Sequence, residues 1–392
     1  MTTSTSGTAP AYGIADPDGF GWGVFHERHP ALVRRLCESN PYTPEQRARL
    51  DALLEESRSG TVRSPAPETA AHVPWAARGH RYVGRPWHEA PFLWAESYFY
   101  LRLLECVDHF VPGPWQGVDP FAPMKAAELA DPGLEAETAW RDGLADASPA
   151  ETFHALILAA LYGNRADLGF QLVQATTDAT DLPLLADDTA ALWRHIGERP
   201  PGDVHMILDN AGRELLADLL LADHLLATGR ADAVVLHVKP LPYYVSDATA
   251  ADVRDCLLRI AAFSGAAGKA ARRLREAAAG GRLRLATHEF YCSPSTFDEM
   301  PADLRAALAA AGLLVFKGDL NYRRLVGDRA WPATRPFADA VSGVPSSLVA
   351  LRTLKSDVVV GLDAETAKEL DATGTDWRTD GTRALVQARL RP

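Results

Sequence analysis

The chain has 392 residues, of which 47% are hydrophobic and 23% are charged. This composition is typical of a globular protein and excludes a disordered or fibrous chain. Forty Lys and Arg residues against 51 Asp and Glu residues give a formal net charge of −11, which opposes contact with a phosphate backbone and predicts no nucleic-acid partner. The length exceeds the usual limit for one hydrophobic core, so we expect two packed units or one large α/β domain with a helical annex.

The four cysteines predict neither a zinc site nor a disulfide framework, because they are far apart in sequence and form no Cys-x-x-Cys pair. We expect reduced core thiols at Cys37, Cys106, Cys256 and Cys292.

Neither a secretory signal nor a membrane span is expected from the apolar pattern. Residues 1–13 lack the basic start and the apolar run of a signal peptide. The apolar stretch 215–226 is interrupted by Asp218 and Asp223, so it is too short to span a bilayer. We therefore expect a soluble, cytoplasmic protein with no membrane partner.

The first half of the chain shows a helical pattern, which predicts a flexible tail over residues 1–26 and a helical region over 27–197. A helix is expected at 92–107, where apolar residues recur on one face. Residues 59–75 contain several Gly, Pro and Ser residues without periodicity and are expected to form a loop. Two prolines within 197–203 forbid a helix and favour a boundary there, so an α/β core is expected over 203–392.

Beyond residue 203 the pattern changes to short apolar runs that alternate with amphipathic segments. This alternation predicts an α/β fold in which a mostly parallel sheet is flanked by helices, giving a three-layer αβα core next to the N-terminal helical region. Strands are expected at 204–208, 234–238, 283–286, 313–316 and 358–360. Helices are expected at 212–228, 250–263, 268–279, 302–311 and 346–354.

Polar side chains follow the expected strands, at the sheet edge where ligands of parallel sheets bind. Asp209 and Asn210 follow the first strand, and Asp247 lies beyond the second. Carboxylate and amide oxygens suit Mg²⁺ or Mn²⁺, and Asn210 precedes a helix whose N-terminus favours anions. Lys317 and Arg323, after the fourth strand, bring cations to the same edge. A divalent metal flanked by cations is an arrangement that neutralises a phosphoryl group.

Each of these residues also has a structural interpretation. Asp-Asn before a helix is a common N-cap, and Asp247 could cap the helix that is expected to begin at 250. Lys239 precedes a proline and is expected to be a solvated edge charge. His288 and Glu289 follow the third strand and could form an acid/base pair or a satisfied structural pair. The P-loop, Gly-x-Gly-x-x-Gly, Gly-x-Ser-x-Gly and His-Glu-x-x-His motifs do not occur.

Five motifs in order along the chain resemble those of the metal-dependent damage-control phosphatases, also called acidic residue methyltransferase-like proteins. Asp-Asn-Ala-Gly-Arg-Glu at 209–214 resembles the family's Asp-Asn-x-Gly-x-Glu, and Lys-Gly-Asp-Leu-Asn-Tyr-Arg at 317–323 is similar to its second motif. Arg-Thr-Leu-Lys at 352–355 resembles the Arg-Thr-x-Lys of one subfamily. Residues 93–100 and 163–168 resemble motifs of the helical region.

The resemblance implies a phosphatase that hydrolyses small phosphorylated metabolites, typically sugar phosphates such as fructose phosphates. It implies that Asp209, Asn210 and Asp247 hold a divalent ion (Mn²⁺, Co²⁺, Ni²⁺ or Mg²⁺) and form the catalytic centre. The residues implied to bind or border the substrate are Glu214, Lys317, Asp319, Leu320, Asn321, Tyr322, Arg323 and Lys355.

Four residues within these motifs are not assigned to the site. Arg213 stands where relatives usually carry an apolar or aromatic residue; it could add a cation to the pocket, but a lone helical Arg is expected to point to solvent. Glu96, Asn164 and Asp167 are expected to be interior polar residues that brace the helical region against the core, and as buried groups they would need partners.

Two other functions are compatible with the sequence. One is an S-adenosylmethionine-dependent carboxyl methyltransferase, which has been proposed for some relatives, although no glycine-rich methyltransferase loop occurs here. The other is a non-catalytic protein that binds a sugar phosphate or a metal. The nucleophile of a phosphatase reaction could be a water or a carboxylate, and the oligomeric state is not predicted.

Overall fold

The sheet is the centre of the fold. The computed structural model describes residues 9–78, 81–163 and 184–391. Within these ranges the sheet has seven strands, ordered β1-β7-β6-β5-β2-β3-β4. Strands β2 to β6 pair in parallel with one another, β7 is antiparallel to β6, and β1 is parallel to β7. The strands are β1 Leu184–Asp187, β2 Val204–Ile207, β3 Val234–Val238, β4 Leu283–Thr287, β5 Leu313–Lys317, β6 Leu348–Thr353 and β7 Ala384–Arg389.

The order of the strands creates a switch point between β2 and β5. After β2 the chain adds β3 and β4 on one side, and it then crosses to the other side of β2 to form β5. Connections that leave in opposite directions open a crevice at the carboxyl ends of the two central strands, which is where ligands of such sheets bind. Asp209 follows β2 and Lys317 ends β5, so both residues lie at this crevice.

Most helices of the N-terminal region form a layer with its own core, whereas the last of them, Pro149–Tyr162, packs in the core of the sheet. Thr43 and Ser148 begin two of them with capping boxes that satisfy free backbone N–H groups. The helices are α1 His29–Ser39, preceded by the turns Phe20–Gly23 and Val24–Arg28, then α2 Pro44–Ser59, α3 Pro67–His72, α4 Pro74–Arg78, α5 Phe92–Cys106, α6 Ala122–Leu129 and α7 Pro149–Tyr162. Short turns at Trp87–Glu89, Leu134–Glu137 and Ala139–Leu144 connect them.

Helices of the α/β core cover both faces of the sheet. Along β5, Leu313 and Val315 face one core cluster while Leu314 and Phe316 face the other, as the period of two in a strand requires. The helices are α8 Thr189–Glu198, α9 Gly212–Ala227, α10 Ala250–Ala261, α11 Ala266–Ala279, α12 Ala302–Ala309, α13 Gly318–Val326 and α14 Ala364–Ala372, with short turns at Glu289–Cys292, Phe297–Glu299 and Phe337–Ala340. The predicted three-layer αβα architecture beside a helical region is confirmed.

The loop after β3 connects the N-terminal layer to the sheet. Leu241, Tyr244 and Val245 pack against the hydrophobic cluster of the N-terminal helices, although they belong to the α/β half of the sequence. The helical layer therefore contacts the segment that carries Asp247.

Several local predictions were wrong. Residues 346–354 were expected to be helical but contain β6, because β6 lies between β5 and β7 and pairs with both. Residues 358–360 do not form a strand; the side chains of Tyr322 and Gln387 instead satisfy the backbone N–H and C=O of Val360. The expected loop at 59–75 contains α3 and the start of α4. Strands β1 and β7 and helices α13 and α14 were not predicted.

The expected domain limits differ in detail from the packing. Ile14, Val24 and Phe25 are buried, so ordered packing begins within the expected tail. Strand β1 joins the sheet although it lies in the expected helical region. The division of the chain at 197–203 stays a prediction. In the described residues the four cysteines are unpaired, and no helix there is both long and apolar enough to cross a bilayer.

One buried histidine makes the stability of the helical layer depend on pH. His29 is 1% exposed, its ring stacks on Phe99 at 3.7 Å, and neither of its ring nitrogens has a hydrogen-bond partner. Burial lowers its pKa from 6.5 to about 3. Between these values the unfolded chain binds a proton that the folded chain does not, so stability falls as the pH falls through 6.5.

We predict that His29→Phe reduces the loss of stability on acidification, because the unfolded state then has one group fewer to protonate. At pH 5 the His29 contribution is about 2 kcal/mol. Urea unfolding at pH 7.5 and pH 5 measures it, and His88→Phe, at an exposed histidine, serves as the control. An equal pH dependence for wild type and His29→Phe would contradict the assignment.

Candidate functional site

Two strand-end loops pair with each other and bring three polar residues together. The backbone N–H of Ala248 donates to the Asp209 carbonyl at 2.7 Å, and the N–H of Ala211 donates to the Ser246 carbonyl at 2.6 Å. An antiparallel bridge joins Asn210 to Asp247. The loop after β3 is thus held against the loop after β2, which places Asp247 beside Asp209 and Asn210.

Asn210 is tied into this group by hydrogen bonds on both sides of its amide. Its Nδ2 donates to Asp209 Oδ2 at 3.2 Å and to Glu214 Oε2 at 2.8 Å. Its Oδ1 accepts from the Ser246 hydroxyl at 2.6 Å. Asn210 therefore orients two carboxylates at the start of α9.

Lys239 pairs with Asp247 and is not the solvated edge charge that was expected. Its ammonium is 2% exposed, lies 3.0 Å from Asp247 Oδ2 and donates to the Leu208 carbonyl at 3.3 Å. The prediction failed because Lys239 directly follows β3, an interior strand with β2 and β4 on either side, so its side chain is buried beside Asp247.

The ionised forms of the Asp209 and Asp247 carboxylates are electrostatically unfavourable in this group unless a cation is bound. Burial raises the pKa of Asp209 well above its usual value, and the neighbouring Asp247 and Glu214 carboxylates raise it further. Burial also raises the pKa of Asp247, although Lys239 opposes the shift. Asp209 Oδ1 is buried and has no hydrogen-bond partner. An unpartnered buried carboxylate oxygen is a group that a bound divalent cation would satisfy.

The candidate ligands Asp209, Asn210 and Asp247 therefore fit a hard divalent ion, since all three supply oxygen atoms. Among the described residues no group of three or more His, Cys, Asp or Glu side chains is arranged for a metal. The candidate set has only two side chains of these types, Asp209 and Asp247, and its third member is the amide of Asn210. Its role in metal binding therefore stays a prediction.

Gly318 allows Asp209 to lie directly against the start of α13. Its φ is +82°, and a Cβ at this position would lie 1.9 Å from Asp209 Oδ2. Only glycine combines this backbone conformation with such a close approach. The glycine after β5 thus brings the N-terminus of α13 to the carboxylate that follows β2.

Lys317 forms the base of the adjoining pocket with two carboxylates from α9. It is 1% exposed, and its Nζ lies 3.1 Å from Asp218 Oδ1 and 3.6 Å from Glu214 Oε1. It also donates to the Ala160 carbonyl at the end of α7. Burial raises the pKa of Asp218 to about 7, against the opposing effect of Lys317.

Sequence reasoning missed Asp218, which was considered only as a break in an apolar stretch. Its spacing of four residues from Glu214 places both carboxylates on one face of α9, and that spacing was the available signal.

A pocket of about 80 Å³ opens at this point. The end of α7, the start of α13 and the end of β6 surround it. Its polar side chains are Asp209, Glu214, Lys317, Asp319, Thr353 and Lys355, and its other lining residues are Ala160, Leu161, Tyr162, Gly163, Gly318, Leu351 and Gly381.

Arg352 and Asp319 position the exposed Lys355 at the pocket. Arg352 is completely buried, and its Nε donates to Asp319 Oδ1 at 2.8 Å. The same oxygen accepts the backbone N–H of Lys355 at 3.2 Å. Burial alone would raise the pKa of Asp319, but the Arg352 and Arg323 guanidiniums hold it below its usual value. Asp319 is therefore an ionised acceptor beside Lys355.

The four residues after Asp319 do not line the pocket. Leu320 packs against Leu93, Tyr243 and Cys292, and Asn321 donates to the Leu208 carbonyl at 3.1 Å. The Tyr322 hydroxyl donates to Gln387 Oε1 at 2.9 Å. The Arg323 guanidinium contacts Glu96 and Asp328 at 2.9 Å each. Substrate contacts by these four residues stay predictions, because the structure gives each side chain another partner.

Glu96 lies between the helical layer and the core, as expected for an interior bracing residue. It is 7% exposed and accepts hydrogen bonds from Arg323 at 2.9 Å and from the Tyr244 hydroxyl at 3.2 Å. Asn164 and Asp167, for which the same role was expected, lie outside the described residues.

Arg213 does not point to solvent, contrary to expectation. It contacts Asp131 at 2.5 Å and Glu137 at 2.7 Å. Its backbone N–H donates to Glu128 Oε1 at 2.9 Å. The prediction failed because three acidic residues, one in α6 and two in the segment after it, meet this side of α9. The Glu128 carboxylate also occupies the anion position at the N-terminus of α9, so a phosphate is not expected there.

His288 and Glu289, which were left unassigned, lie outside the pocket lining. His288 Nδ1 accepts the Phe290 N–H at 3.0 Å, and its Nε2 lies 3.3 Å from Asp303 Oδ2. A local structural role accounts for His288.

The fold and the site define an α/β protein with a charged pocket at its switch point. The family model described as the damage-control phosphatase ARMT1-like domain matches residues 24–370. Damage-control phosphatase ARMT1 of Danio rerio is 33% identical over 335 residues, covering 77% of this chain and 74% of that protein. The Mus musculus protein of the same name is 31% identical over 339 residues, covering 78% and 75%.

The chain therefore belongs to the damage-control phosphatase ARMT1-like family, and this membership supports a phosphatase role. A solved structure of a DUF89 family protein from Pyrococcus horikoshii is also similar, with a TM-score of 0.49 at 14% identity, covering 89% of this chain and 94% of that one.

We predict that Gly318→Ala strongly lowers phosphatase activity, because the added Cβ would displace the Asp209 carboxylate. A shift of about 1 Å at a reacting centre can cost about 100-fold in rate. Gly281→Ala is the control for backbone strain alone, because Gly281 has a φ of +74° and an added Cβ would have no atom within 4 Å. Unfolding measurements on both variants separate the strain from the displacement of Asp209. Gly281→Ala should lose about 1 kcal/mol of stability and keep its activity. Full activity in Gly318→Ala would refute the close approach.

Proposed function

We propose that this protein is a metal-dependent phosphatase that hydrolyses small phosphorylated metabolites, with sugar phosphates such as fructose phosphates as its substrate class. One observation supports this most directly. The pocket at the switch point combines the ammonium groups of Lys317 and Lys355 with Asp209, whose Oδ1 has no hydrogen-bond partner. Such a site can hold a phosphoryl dianion beside a divalent cation.

The proposed ion would be held by Asp209, Asn210 and Asp247. When bound, such an ion neutralises charge on the phosphoryl group. Lys239 orients Asp247 from the side by its ion pair, and Asn210 orients Asp209. The chain's own residues thus pre-form the oxygen set, which avoids reorganisation when the ligand binds.

Two lysines of different character would bind the phosphoryl group. Lys317 is held at the base of the pocket by Asp218, Glu214 and the Ala160 carbonyl. Lys355 is exposed and lies at the rim, where only its backbone is fixed by Asp319. The buried ammonium of Lys317 provides a positive charge at a fixed position. The exposed side chain of Lys355 is free to move toward a phosphoryl dianion when it binds.

The size and polarity of the pocket favour a small substrate. The pocket has a volume of about 80 Å³, and nearly half of its lining residues carry polar or charged side chains. Asp319 is ionised and Thr353 lines the same wall, so both offer oxygen atoms to sugar hydroxyls. These features support a small, polar phosphorylated substrate. The cytoplasmic location and the absence of a nucleic-acid partner stay predictions.

We predict that the purified protein with Mn²⁺ or Co²⁺ releases phosphate from at least one compound in a panel of sugar phosphates. EDTA should abolish the release, and added S-adenosylmethionine should change nothing. Colorimetric phosphate detection with and without Mn²⁺, Co²⁺, Ni²⁺ and Mg²⁺ provides the measurement. Asp209→Ala should stay folded but lose both activity and bound Mn²⁺, because it removes the unpartnered oxygen.

Methyl transfer to carboxylates that persists in EDTA, with no phosphate released from any compound, would overturn the proposal in favour of a methyltransferase. Binding of a sugar phosphate without turnover at any metal would favour a non-catalytic binding protein.

We predict that Lys355→Met raises KM for sugar phosphates by about 10-fold or more, since a charge-assisted contact contributes about 1.5–3 kcal/mol. Initial rates give KM, and competition by inorganic phosphate gives a second estimate of anion affinity. Lys368→Met, at an exposed lysine of α14, is the matched control and should behave as wild type. Unchanged KM and unchanged phosphate inhibition in Lys355→Met would remove this residue from the site.

A further inference from the structure

A buried lysine of the helical layer contacts the loop that carries Asp247. Lys125 belongs to α6 and is 7% exposed. Its Nζ donates to the backbone carbonyl of Asp247 at 2.8 Å, to Asp252 Oδ2 at 2.9 Å and to Asp119 Oδ2 at 3.0 Å. All three donors of the ammonium are therefore used, and one of them is directed at the residue that is expected to hold the metal.

The loop at 240–248 adopts a conformation that requires support from outside. Tyr244 has a φ of +50°, which is strained for an aromatic residue. Its ring stacks on Tyr100 with 4.7 Å between ring centroids, and its hydroxyl donates to Glu96. Both contacts come from α5, so the helical layer fixes the first part of the loop. Lys125 of α6 fixes its end.

The carboxylates around Lys125 hold its ammonium in one position. Asp252 Oδ2 also accepts the N–H of Thr249 at 2.8 Å and its hydroxyl at 2.7 Å. The acceptor that orients Lys125 is thereby tied to the first turn of α10, which begins three residues after Asp247. An ion pair that only joined α6 to α10 would not need the third hydrogen bond to the Asp247 carbonyl.

We propose that Lys125 is a positioning residue for the metal ligand Asp247, through which the helical layer sets the affinity of the site for its divalent ion. This inference rests on the proposed function, because it assumes that Asp209, Asn210 and Asp247 hold the ion. Lys125 contacts the backbone of Asp247, whereas Lys239 contacts its carboxylate, so the two lysines fix the residue from two sides. Loss of a group that orients a ligand typically weakens metal binding 10–100-fold.

Titration calorimetry with Mn²⁺ alone tests this on the full-length protein, at a temperature where every variant is folded by circular dichroism. Lys125→Met removes the three hydrogen bonds and keeps an unbranched side chain. We expect its Kd for Mn²⁺ to rise at least 10-fold. The Mn²⁺ concentration for half-maximal phosphatase activity should rise in parallel, while kcat at saturating Mn²⁺ stays within twofold of wild type.

Arg273→Met is the matched control, because it also leaves a buried carboxylate without its cation. Arg273 of α11 lies 2.5 Å from Asp223, and that carboxylate is 3% exposed and does not line the pocket. Arg273→Met should lose thermal stability and keep the wild-type Kd for Mn²⁺. If it weakens Mn²⁺ binding as much as Lys125→Met does, the effect is general destabilisation and the proposal is wrong.

Failure of the two proposals can be told apart. Wild type that binds no divalent ion would refute the metal site itself. Wild type that binds Mn²⁺, together with a Lys125→Met variant whose Kd is within twofold, would refute only the role of Lys125. Should Lys125→Met not fold, Lys125→Gln keeps a hydrogen-bond donor without the charge; a Kd raised at least threefold would support the proposal, and an unchanged Kd would overturn it.

Discussion

The site depends on the backbone pairing between the loops that follow β2 and β3. Two hydrogen bonds, from Ala248 to the Asp209 carbonyl and from Ala211 to the Ser246 carbonyl, hold the buried carboxylates of Asp209 and Asp247 side by side. Two carboxylates close together in a buried site repel each other strongly, so the backbone hydrogen bonds must hold the two residues together against this repulsion. The surrounding lysines and the proposed divalent ion offset that repulsion.

The helical layer contributes to the site from outside the sheet. Glu96 accepts hydrogen bonds from both Arg323 of α13 and Tyr244 of the loop after β3, so one carboxylate joins the segments on both sides of the crevice. Lys125 adds a contact with the backbone of Asp247. The N-terminal region therefore helps to shape the edge of the sheet at which the crevice lies.

Helix geometry explains why the motif at 317–323 serves several purposes. Successive residues on a helix point about 100° apart, so consecutive side chains cannot all face one ligand. Asp319 lies at the pocket, Arg323 contacts the helical layer through Glu96, and Tyr322 lies in the opposite core beside Gln387. A motif that was expected to form one binding segment is thus divided among the pocket, an ion pair with the helical layer and a core contact.

The sequence alone was sufficient to predict the α/β class, four strands of the parallel sheet and the approach of Asp209, Asn210 and Asp247, because apolar runs and strand-end residues are local signals. It could not predict β6 in place of a helix, the burial of Lys239 and Arg323, or the ion pairs of Arg213. Those outcomes depend on which segments become neighbours in the sheet and which acidic side chains face a given cation. The residues that form these ion pairs are distant in the chain; Arg323 and Glu96, for example, are 227 positions apart. Only the tertiary structure brings them into contact.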